Sequence, residues 1–255
     1  MEFLVSANTD IGLVKDTNQD GLSVKVINTP MGRMAFAILC DGMGGLSKGE
    51  VASTTLISAF DDWVYNELPL LCNSPIDDAV IRSQWERIVV EQNKKIGAYG
   101  ASQGIRLGTT IVVALFTQTR YYILNIGDSR AYEISDEFIQ ITNDQTFVAR
   151  EVQLGRMTEE EAKTDSRRSV LLQCVGASDD VYPDMFFGET RKDAVYMLCS
   201  DGFRHEITPE EIHSYFHPNV MLDVNSMNAN TLQLIETNKQ RAERDNISVA
   251  IVRTY

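Results

Sequence analysis

Short, continuous apolar runs recur along the chain, and an aspartate stands at or just past the end of several of them. The run Ala35–Cys40 stops at Asp41, and three of the next four residues are glycine. Two later runs end in the same way, shortly before Asp128 and Asp201. Because these runs are apolar on both faces, they are typical of strands that are buried on two sides. The pattern therefore predicts buried strands that carry carboxylates at their ends.

Two further runs have the reverse order, since Asp20 and Asp245 come before the apolar residues rather than after them. If all five aspartates converge, three strands run toward a common site and two run away from it. Such strands need antiparallel neighbours. Antiparallel pairing and burial on both faces are compatible when two sheets are stacked and helices cover the outside.

Helical periodicity supplies elements that would cover such sheets. Apolar residues recur at helical spacing over residues 48–68 and again in the next amphipathic segment. Ser74 followed by Pro75 predicts the start of that second helix, as an N-cap and a first-turn proline. Two more helices are expected, one from Thr208 and one over residues 221–241.

The longest polar segment runs from Thr142 to Arg168. It contains two probable helical turns, and Thr158 with Glu161 has the spacing of a capping box. A strand is expected to follow over residues 181–187. We call residues 142–168 the flap.

A single aspartate beside a strand usually caps a local turn. Five aspartates at strand ends, two of them followed by glycine, favour a cation site made of carboxylates. All-oxygen sites of this kind suit hard divalent ions such as Mg²⁺ and Mn²⁺. The pattern therefore predicts a metal site.

Six short motifs, in order, resemble the motif series of the metal-dependent protein phosphatases of type 2C, in their single-domain bacterial form. The motifs are Lys15-x-x-Asn18-Gln19-Asp20, Cys40-Asp41-Gly42-Met43-Gly44-Gly45, Gly108-Thr109-Thr110, Asn125-Ile126-Gly127-Asp128-Ser129-Arg130, Leu198-Cys199-Ser200-Asp201-Gly202 and Arg244-Asp245-Asn246-Ile247-Ser248-Val249. They span nearly the whole chain, so one catalytic domain over residues 1–255 is expected. The resemblance implies an α+β fold, a four-layer α/β/β/α sandwich of two mainly antiparallel sheets flanked by helices.

The resemblance also implies two bound Mn²⁺ or Mg²⁺ ions. Asp41 would bridge them, the Gly42 carbonyl would join one, and Asp201 and Asp245 would complete the other. Asp128, together with Asp201, matches the position of a weaker third ion. The alternative for Asp128 is that it braces Arg130.

The activity implied is hydrolysis of phosphoserine and phosphothreonine in proteins that a protein kinase has modified. A hydroxide that bridges the two ions would attack phosphorus directly. Lys15 aligns with the phosphate-binding arginine of the family, although lysine lacks the two-pronged guanidinium. Asp20 would orient a metal-bound water.

The chain departs from the family pattern at two positions where relatives often have histidine. Leu46 follows the glycine turn, and Gln145 stands in the flap. The three histidines are His205, His213 and His217. We expect a surface or helix-entry role for His205, and a metal-bound water as the proton donor to the leaving group.

Bulk properties exclude several classes of partner. The net charge of the 255 residues is −13, and no run of lysine and arginine stands out, so nucleic acid and anionic membranes are unfavourable partners. The first residues lack a basic and long apolar signal region, which favours a cytoplasmic protein, and a monomer is expected. The four cysteines have no paired spacing and are expected to be reduced core residues.

Two other functions remain open from the sequence. A pseudophosphatase would bind a phosphoprotein or a regulatory partner without turnover. A phosphatase of small phosphate esters would catalyse the same metal-dependent hydrolysis on a small molecule instead of a protein.

Overall fold

The computed structural model describes residues 1–44 and 48–255, and in that part of the chain it contains twelve strands and eight helices. The strands are β1 Phe3–Asp10, β2 Gly21–Thr29, β3 Gly32–Cys40, β4 Gly42–Gly44, β5 Leu107–Thr109, β6 Ile111–Phe116, β7 Arg120–Ile126, β8 Arg130–Ile134, β9 Phe138–Gln140, β10 Asp184–Glu189, β11 Val195–Cys199 and β12 Ile247–Thr254. The helices are α1 Gly49–Asn66, α2 Leu68–Leu71, α3 Asp78–Gln103, α4 Phe147–Gln153, α5 Glu159–Thr164, α6 Asp201–Arg204, α7 Pro209–Phe216 and α8 Val224–Gln240.

Ten of these strands form two five-stranded sheets. The first has the order β1-β12-β11-β8-β9 and the second the order β10-β7-β6-β3-β2. All neighbouring strands are antiparallel. β4 and β5 pair separately, with Gly42 opposite Thr109. The predicted antiparallel pairing is therefore confirmed.

Alternation along the central strands divides their side chains between two apolar layers. On β3, Phe36 and Ile38 pack with the helices α1 and α3, whereas Ala35 and Ala37 pack between the two sheets. The layer between the sheets also contains small side chains of β6 and β12, which let the sheets approach closely. Burial on both faces of β3 follows from this arrangement.

Helices cover the outer face of each sheet. Trp63 of α1 and Trp85 of α3 pack edge to face, with ring centroids 5.5 Å apart, outside the second sheet. Outside the first sheet, Phe203 of α6 stacks on Phe216 of α7. The two helix layers and two sheets confirm the predicted α/β/β/α sandwich.

Three predicted element boundaries are wrong. α8 begins at Val224 rather than at residue 221, because the Asp223 carboxylate accepts the N–H of Ser226 at 2.7 Å and caps the helix. α3 begins at Asp78 rather than after Ser74, because the Asp77 carboxylate accepts the N–H of Ala79 at 2.8 Å and caps the helix. β10 begins at Asp184 rather than at residue 181, since its pairing with β7 starts opposite Asn125. The capping boxes at Thr158 and Thr208 are both present.

In the structure the flap runs from Thr142 to Leu172, four residues past its predicted end, and contains α4 and α5. Its two ends pair with each other, since Phe147 N–H donates to the Val170 carbonyl and Leu172 N–H donates to the Gln145 carbonyl, both at 2.8 Å. Within α4 and α5, Val148 is the one buried side chain in the described part of the chain. The flap is therefore joined firmly at its neck and packed lightly beyond it.

All four cysteine thiols are free and buried, as expected for reduced core residues. Cys40 packs in the layer under α1 and α3, and burial raises its pKa well above the ordinary value. Across residues 1–44 and 48–255, the helices are too short or too polar to cross a membrane.

Candidate active site

The ends of the central strands meet at a cleft of about 240 Å³. Its lining includes the predicted residues Lys15, Asp41, Gly42, Asp128, Asp201 and Asp245. The cleft is bordered on the flap side by Ser169 and Leu171. The structure thus brings together side chains that are separated by up to 230 positions in the sequence, from Lys15 to Asp245.

Asp41 is held through its main chain at the end of β3. Its N–H donates to Thr110 Oγ1 at 3.0 Å, and its carbonyl accepts the N–H of Thr110 at 2.9 Å. The Thr110 hydroxyl also contacts Ser129 Oγ at 2.7 Å. Burial, together with the charges of Asp20, Asp201, Asp128 and Asp245, raises the pKa of Asp41 well above its usual range.

Gly42 lies where a side chain could not fit. A Cβ at this position would be 2.4 Å from the Gln19 carbonyl oxygen and 2.5 Å from that of Gly49. The chain therefore turns tightly against its neighbours directly after Asp41, which leaves backbone carbonyls close to the carboxylate.

Asp201 is the first residue of α6 and follows β11 directly. Its Oδ2 lies 3.4 Å from His205 Nε2, and its buried Oδ1 has no hydrogen-bond partner among the described residues. Gly202 packs against the main chain before β12, since a Cβ there would be 2.2 Å from the Asn246 carbonyl oxygen. The segment that carries Asp201 therefore touches the segment that carries Asp245.

Asp245 forms an ion pair with Lys15, with Nζ 2.7 Å from Oδ1. The neighbouring Asn246 side chain accepts the Gln19 N–H and donates to the Ile11 carbonyl, both at 2.9 Å, so it fixes the loop that carries Lys15. Burial lowers the pKa of Lys15, but the hydrogen bond to Asp245 and the charges of Asp245, Asp41 and Asp201 outweigh it and raise the pKa overall.

Asp20 and Asp128 complete the group of carboxylates. Burial raises the pKa of Asp20 to about 7, and the charges of Asp201 and Asp245 add to this effect. Burial and the charge of Asp201 raise the pKa of Asp128 to about 7, although Arg204 acts against them. In both residues burial is the largest cause of the raised pKa, and the charge of Asp201 adds to it.

The alternative role for Asp128, that it braces Arg130, is wrong. Arg130 instead forms a two-pronged ion pair with Asp144, in which both N–O distances are 2.7 Å. Arg204 donates to the Asp128 carbonyl oxygen at 3.0 Å. The Asp128 carboxylate is therefore not used by Arg130.

Gln145 is a structural residue of the flap neck. Its Oε1 accepts the N–H of Gly127 and an amide N–H of Gln173, and its Nε2 donates to Asp184, each at 2.9 Å. The amide thus ties the flap to the turn after β7. Leu46, the other position where relatives often have histidine, lies outside the described residues.

The sequence motifs do not identify Glu243, which is buried beside His205 with 5% of its side chain exposed. An acidic residue two positions before Asp245 would ordinarily be read as a solvated surface charge. Ser169 and Leu171 were also missed, because the flap has no motif that marks which of its residues reach the cleft.

The described residues fit divalent cations in their chemistry, although no three His, Cys, Asp or Glu side chains within residues 1–44 and 48–255 form a ready-made metal-binding group. The donors are oxygen atoms, which hard cations prefer. Asp201 Oδ1 is buried and unpartnered in the described part of the structure. Cations would also offset the burial and the repulsion that together raise the pKa of Asp41 and Asp128.

A larger groove of about 460 Å³ lies elsewhere, between α3 and residues 176–179. Its lining is mostly glycine, alanine and serine, with Lys94, Arg106 and Asp179 as the charged members among the described residues. Because carboxylates do not converge there, the smaller cleft is the better candidate for catalysis.

Comparisons with known proteins find relatives of this chain in sequence and in fold. A family model described as Protein phosphatase 2C matches residues 14–237. The serine/threonine protein phosphatase PstP of Mycobacterium tuberculosis is 32% identical over 251 residues, which cover 96% of this chain and 44% of that protein. The chain therefore spans less than half the length of this relative.

Solved structures share the whole fold. The serine/threonine phosphatase of S. agalactiae superposes with a TM-score of 0.84 at 26% identity and covers 100% of both chains. The catalytic domain of PstP, solved in complex with two manganese ions, has a TM-score of 0.78 at 30% identity and covers 98% of this chain and 97% of its own.

Proposed function

Because this chain belongs to the protein phosphatase 2C family, we propose that it is a metal-dependent phosphatase of phosphoserine and phosphothreonine in proteins. The observation that carries the proposal is the convergence of Asp41, Asp201, Asp245 and Lys15 on one cleft. Carboxylates can bind divalent ions, and a neighbouring cationic side chain can bind the oxygens of a phosphoryl group.

Two ions, Mn²⁺ or Mg²⁺, would be held by Asp41, the Gly42 carbonyl, Asp201 and Asp245, and Asp128 with Asp201 would hold a weaker third. The all-oxygen donor set and the unpartnered Asp201 Oδ1 of the described structure support these assignments. So does the PstP structure with two manganese ions. When bound, such ions supply Lewis acidity that lowers the pKa of water and stabilises charge on a phosphoryl group, which is the basis for direct attack by hydroxide.

Lys15 would bind the phosphoryl oxygens. Its ammonium group lines the cleft and already lies within 2.7 Å of the Asp245 carboxylate, so it can present positive charge beside the metal ligands. Loop 11–19 is fixed by Asn246, which limits the positions that the ammonium can take. A lysine gives a single point of charge where an arginine would give two parallel hydrogen bonds.

Asp20 would orient the attacking water. It is not among the residues that line the cleft, but the charges of Asp201 and Asp245 act on it, and its Oδ2 has no hydrogen-bond partner among the described residues. The substrates of the protein would be phosphoproteins, which are the products of a protein kinase.

The test is phosphate release from phosphoserine, phosphothreonine and phosphotyrosine peptides with Mn²⁺, Mg²⁺ or EDTA present. We expect release from the phosphoserine and phosphothreonine peptides with Mn²⁺ or Mg²⁺, loss of release in EDTA and recovery when Mn²⁺ is restored. Full activity in EDTA would defeat the metal assignment. Binding of a phosphopeptide without turnover would identify a pseudophosphatase, and turnover confined to small esters would identify the other alternative.

A further inference from the structure

Glu243 owes its buried position to the turn that follows α8. The helix ends at Gln240 with Arg241 as its C-cap, and Ala242 then takes a left-handed conformation with φ 65°, which is uncommon for a residue other than glycine. Oε1 of Glu243 accepts the N–H of Arg244 at 2.7 Å and that of Asp245 at 2.8 Å. The carboxylate therefore fixes the backbone of the segment that places Asp245 in the cleft.

His205 connects Glu243 to Asp201. Its Nδ1 lies 3.4 Å from Glu243 Oε2, and its Nε2 lies 3.4 Å from Asp201 Oδ2. The imidazole thus contacts one oxygen of Asp201, while the other oxygen, Oδ1, has no partner in the described structure. An ion could bind Oδ1 without displacing the contact to His205.

The gap that His205 spans is set by the main chain. Gly202, one residue after Asp201, packs directly on the Asn246 carbonyl, one residue after Asp245. The other two histidines are engaged elsewhere, since His213 contacts the Ser135 carbonyl at 2.8 Å and His217 packs against His213. Of the three histidines, His205 is therefore the one that contacts both the segment of Asp201 and the segment of Asp245.

We propose that His205 and Glu243 form a positioning pair, which sets the orientation and separation of Asp201 and Asp245 before a divalent ion binds. This inference rests on the proposed function, since it takes both aspartates to be metal ligands. Side chains that hydrogen-bond to a metal ligand fix its orientation, and their loss typically weakens metal binding by about 10- to 100-fold. Neither residue needs to touch the substrate.

The first experiment measures Mn²⁺ binding to metal-free protein by isothermal titration calorimetry. We expect His205→Ala and Glu243→Ala each to raise the Kd by about 10- to 100-fold. The double variant should lose little more than Glu243→Ala alone, because Glu243 holds both the imidazole and the backbone before Asp245. At saturating Mn²⁺, kcat on a phosphothreonine peptide should fall by less than about tenfold, below the range typical of a general acid.

Conservative variants separate the two contacts of the imidazole and keep the test valid if an alanine variant does not fold. Gln at position 205 can place an amide nitrogen near the position of Nε2, and Asn can place one near that of Nδ1. His205→Gln should therefore keep the contact to Asp201, and His205→Asn the contact to Glu243, so both should bind Mn²⁺ more tightly than His205→Ala. Glu243→Gln keeps a carbonyl for the two N–H groups and should restore most of the affinity. His213→Ala is the matched control and should bind like the wild type.

Several results would overturn the pair. These are an unchanged Kd in both alanine variants, additive effects in the double variant, or a lower melting temperature without any change in Kd. A loss that persists at saturating Mn²⁺ and is confined to alkyl phosphates would make His205 a general acid instead. Failure of the metal centre itself would look different, since the wild type would then bind no Mn²⁺ or Asp245→Asn would bind as well as the wild type.

Discussion

The two sides of the cleft are built in opposite ways. On the carboxylate side, Asp41 follows β3 and Asp201 follows β11, and these strands are buried on both faces. On the flap side, Ser169 and Leu171 belong to a segment whose helices bury one described side chain, Val148. The neck of the flap is hydrogen-bonded, but the rest of it depends on few apolar contacts.

This difference separates two tasks. In the proposed function the aspartates are metal ligands, which must keep their positions within a fraction of an ångström, and strands that the core holds rigid meet this need. The flap would contact the protein substrate in that function, and a lightly packed segment can adapt to different partners. The comparison can be tested by changes on each side.

The largest effect is expected from Asp41→Asn and Asp245→Asn. Each change removes a negative charge from the carboxylate side and should lower kcat by about 10³-fold or more on both aryl phosphate and phosphopeptide, since ion binding and water activation are weakened together. Steady-state kinetics at saturating Mn²⁺ measures this. Asp136→Asn is the control, because the Asp136 side chain is 98% exposed. Near-native turnover in either variant would show that its aspartate is not a ligand.

A smaller loss is expected from Lys15→Ala, which removes the cation at the border of the two sides. A charge-assisted hydrogen bond contributes about 1.5–3 kcal/mol, so KM for a phosphorylated peptide should rise by about 10- to 100-fold, with a smaller change in kcat. Lys15→Arg should restore or improve binding. If KM and kcat are both unchanged in the alanine variant, Lys15 has no part in phosphate binding.

Shortening the flap should affect protein substrates selectively. Removal of α5 leaves the neck and the carboxylates in place, so we expect kcat/KM on a phosphothreonine peptide to fall by about tenfold and the value for an aryl phosphate to change by less than about twofold. Both substrates are compared at the same Mn²⁺ concentration. Equal losses on the two substrates would mean that the flap supports the cleft rather than the substrate.

The smallest effect concerns stability without metal. The pKa values of Asp20 and Asp128 rise from 3.8 to about 7 on folding, so the folded state binds more protons than the unfolded state between these values. The free energy of unfolding should therefore increase as the pH falls through 7. Each group contributes up to about 1.4 kcal/mol for each pH unit. In EDTA, the melting temperature should be about 5–10 °C higher near pH 6 than near pH 8.

Two controls accompany this measurement. Asp20→Asn should flatten the pH dependence, and Mn²⁺ should reduce it because a bound cation favours the charged carboxylates. A metal-free protein that becomes more stable as the pH rises from about 6 to about 8 would contradict the raised pKa values.

The carboxylate side was largely predictable, because each aspartate adjoins an apolar run that can be recognised as a strand from its own residues. The features that escaped depend on distant parts of the chain. The start of β10 is set by Asn125 on β7, and the burial of Glu243 follows from the left-handed turn at Ala242. The contact between Arg130 and Asp144 depends on where the flap neck joins the sheet. Neither spacing nor composition encodes these choices.

The buried thiols have a consequence for the reaction with alkylating agents. Burial raises the pKa of Cys199 to about 12 and that of Cys40 well above its ordinary value, so the reactive thiolate form is scarce at neutral pH. The described lining of the cleft contains no cysteine, and its one sulfur atom is the thioether of Met43. An alkylating agent that modifies thiolates should therefore leave the proposed phosphate release intact at doses that inactivate enzymes with a reactive cysteine.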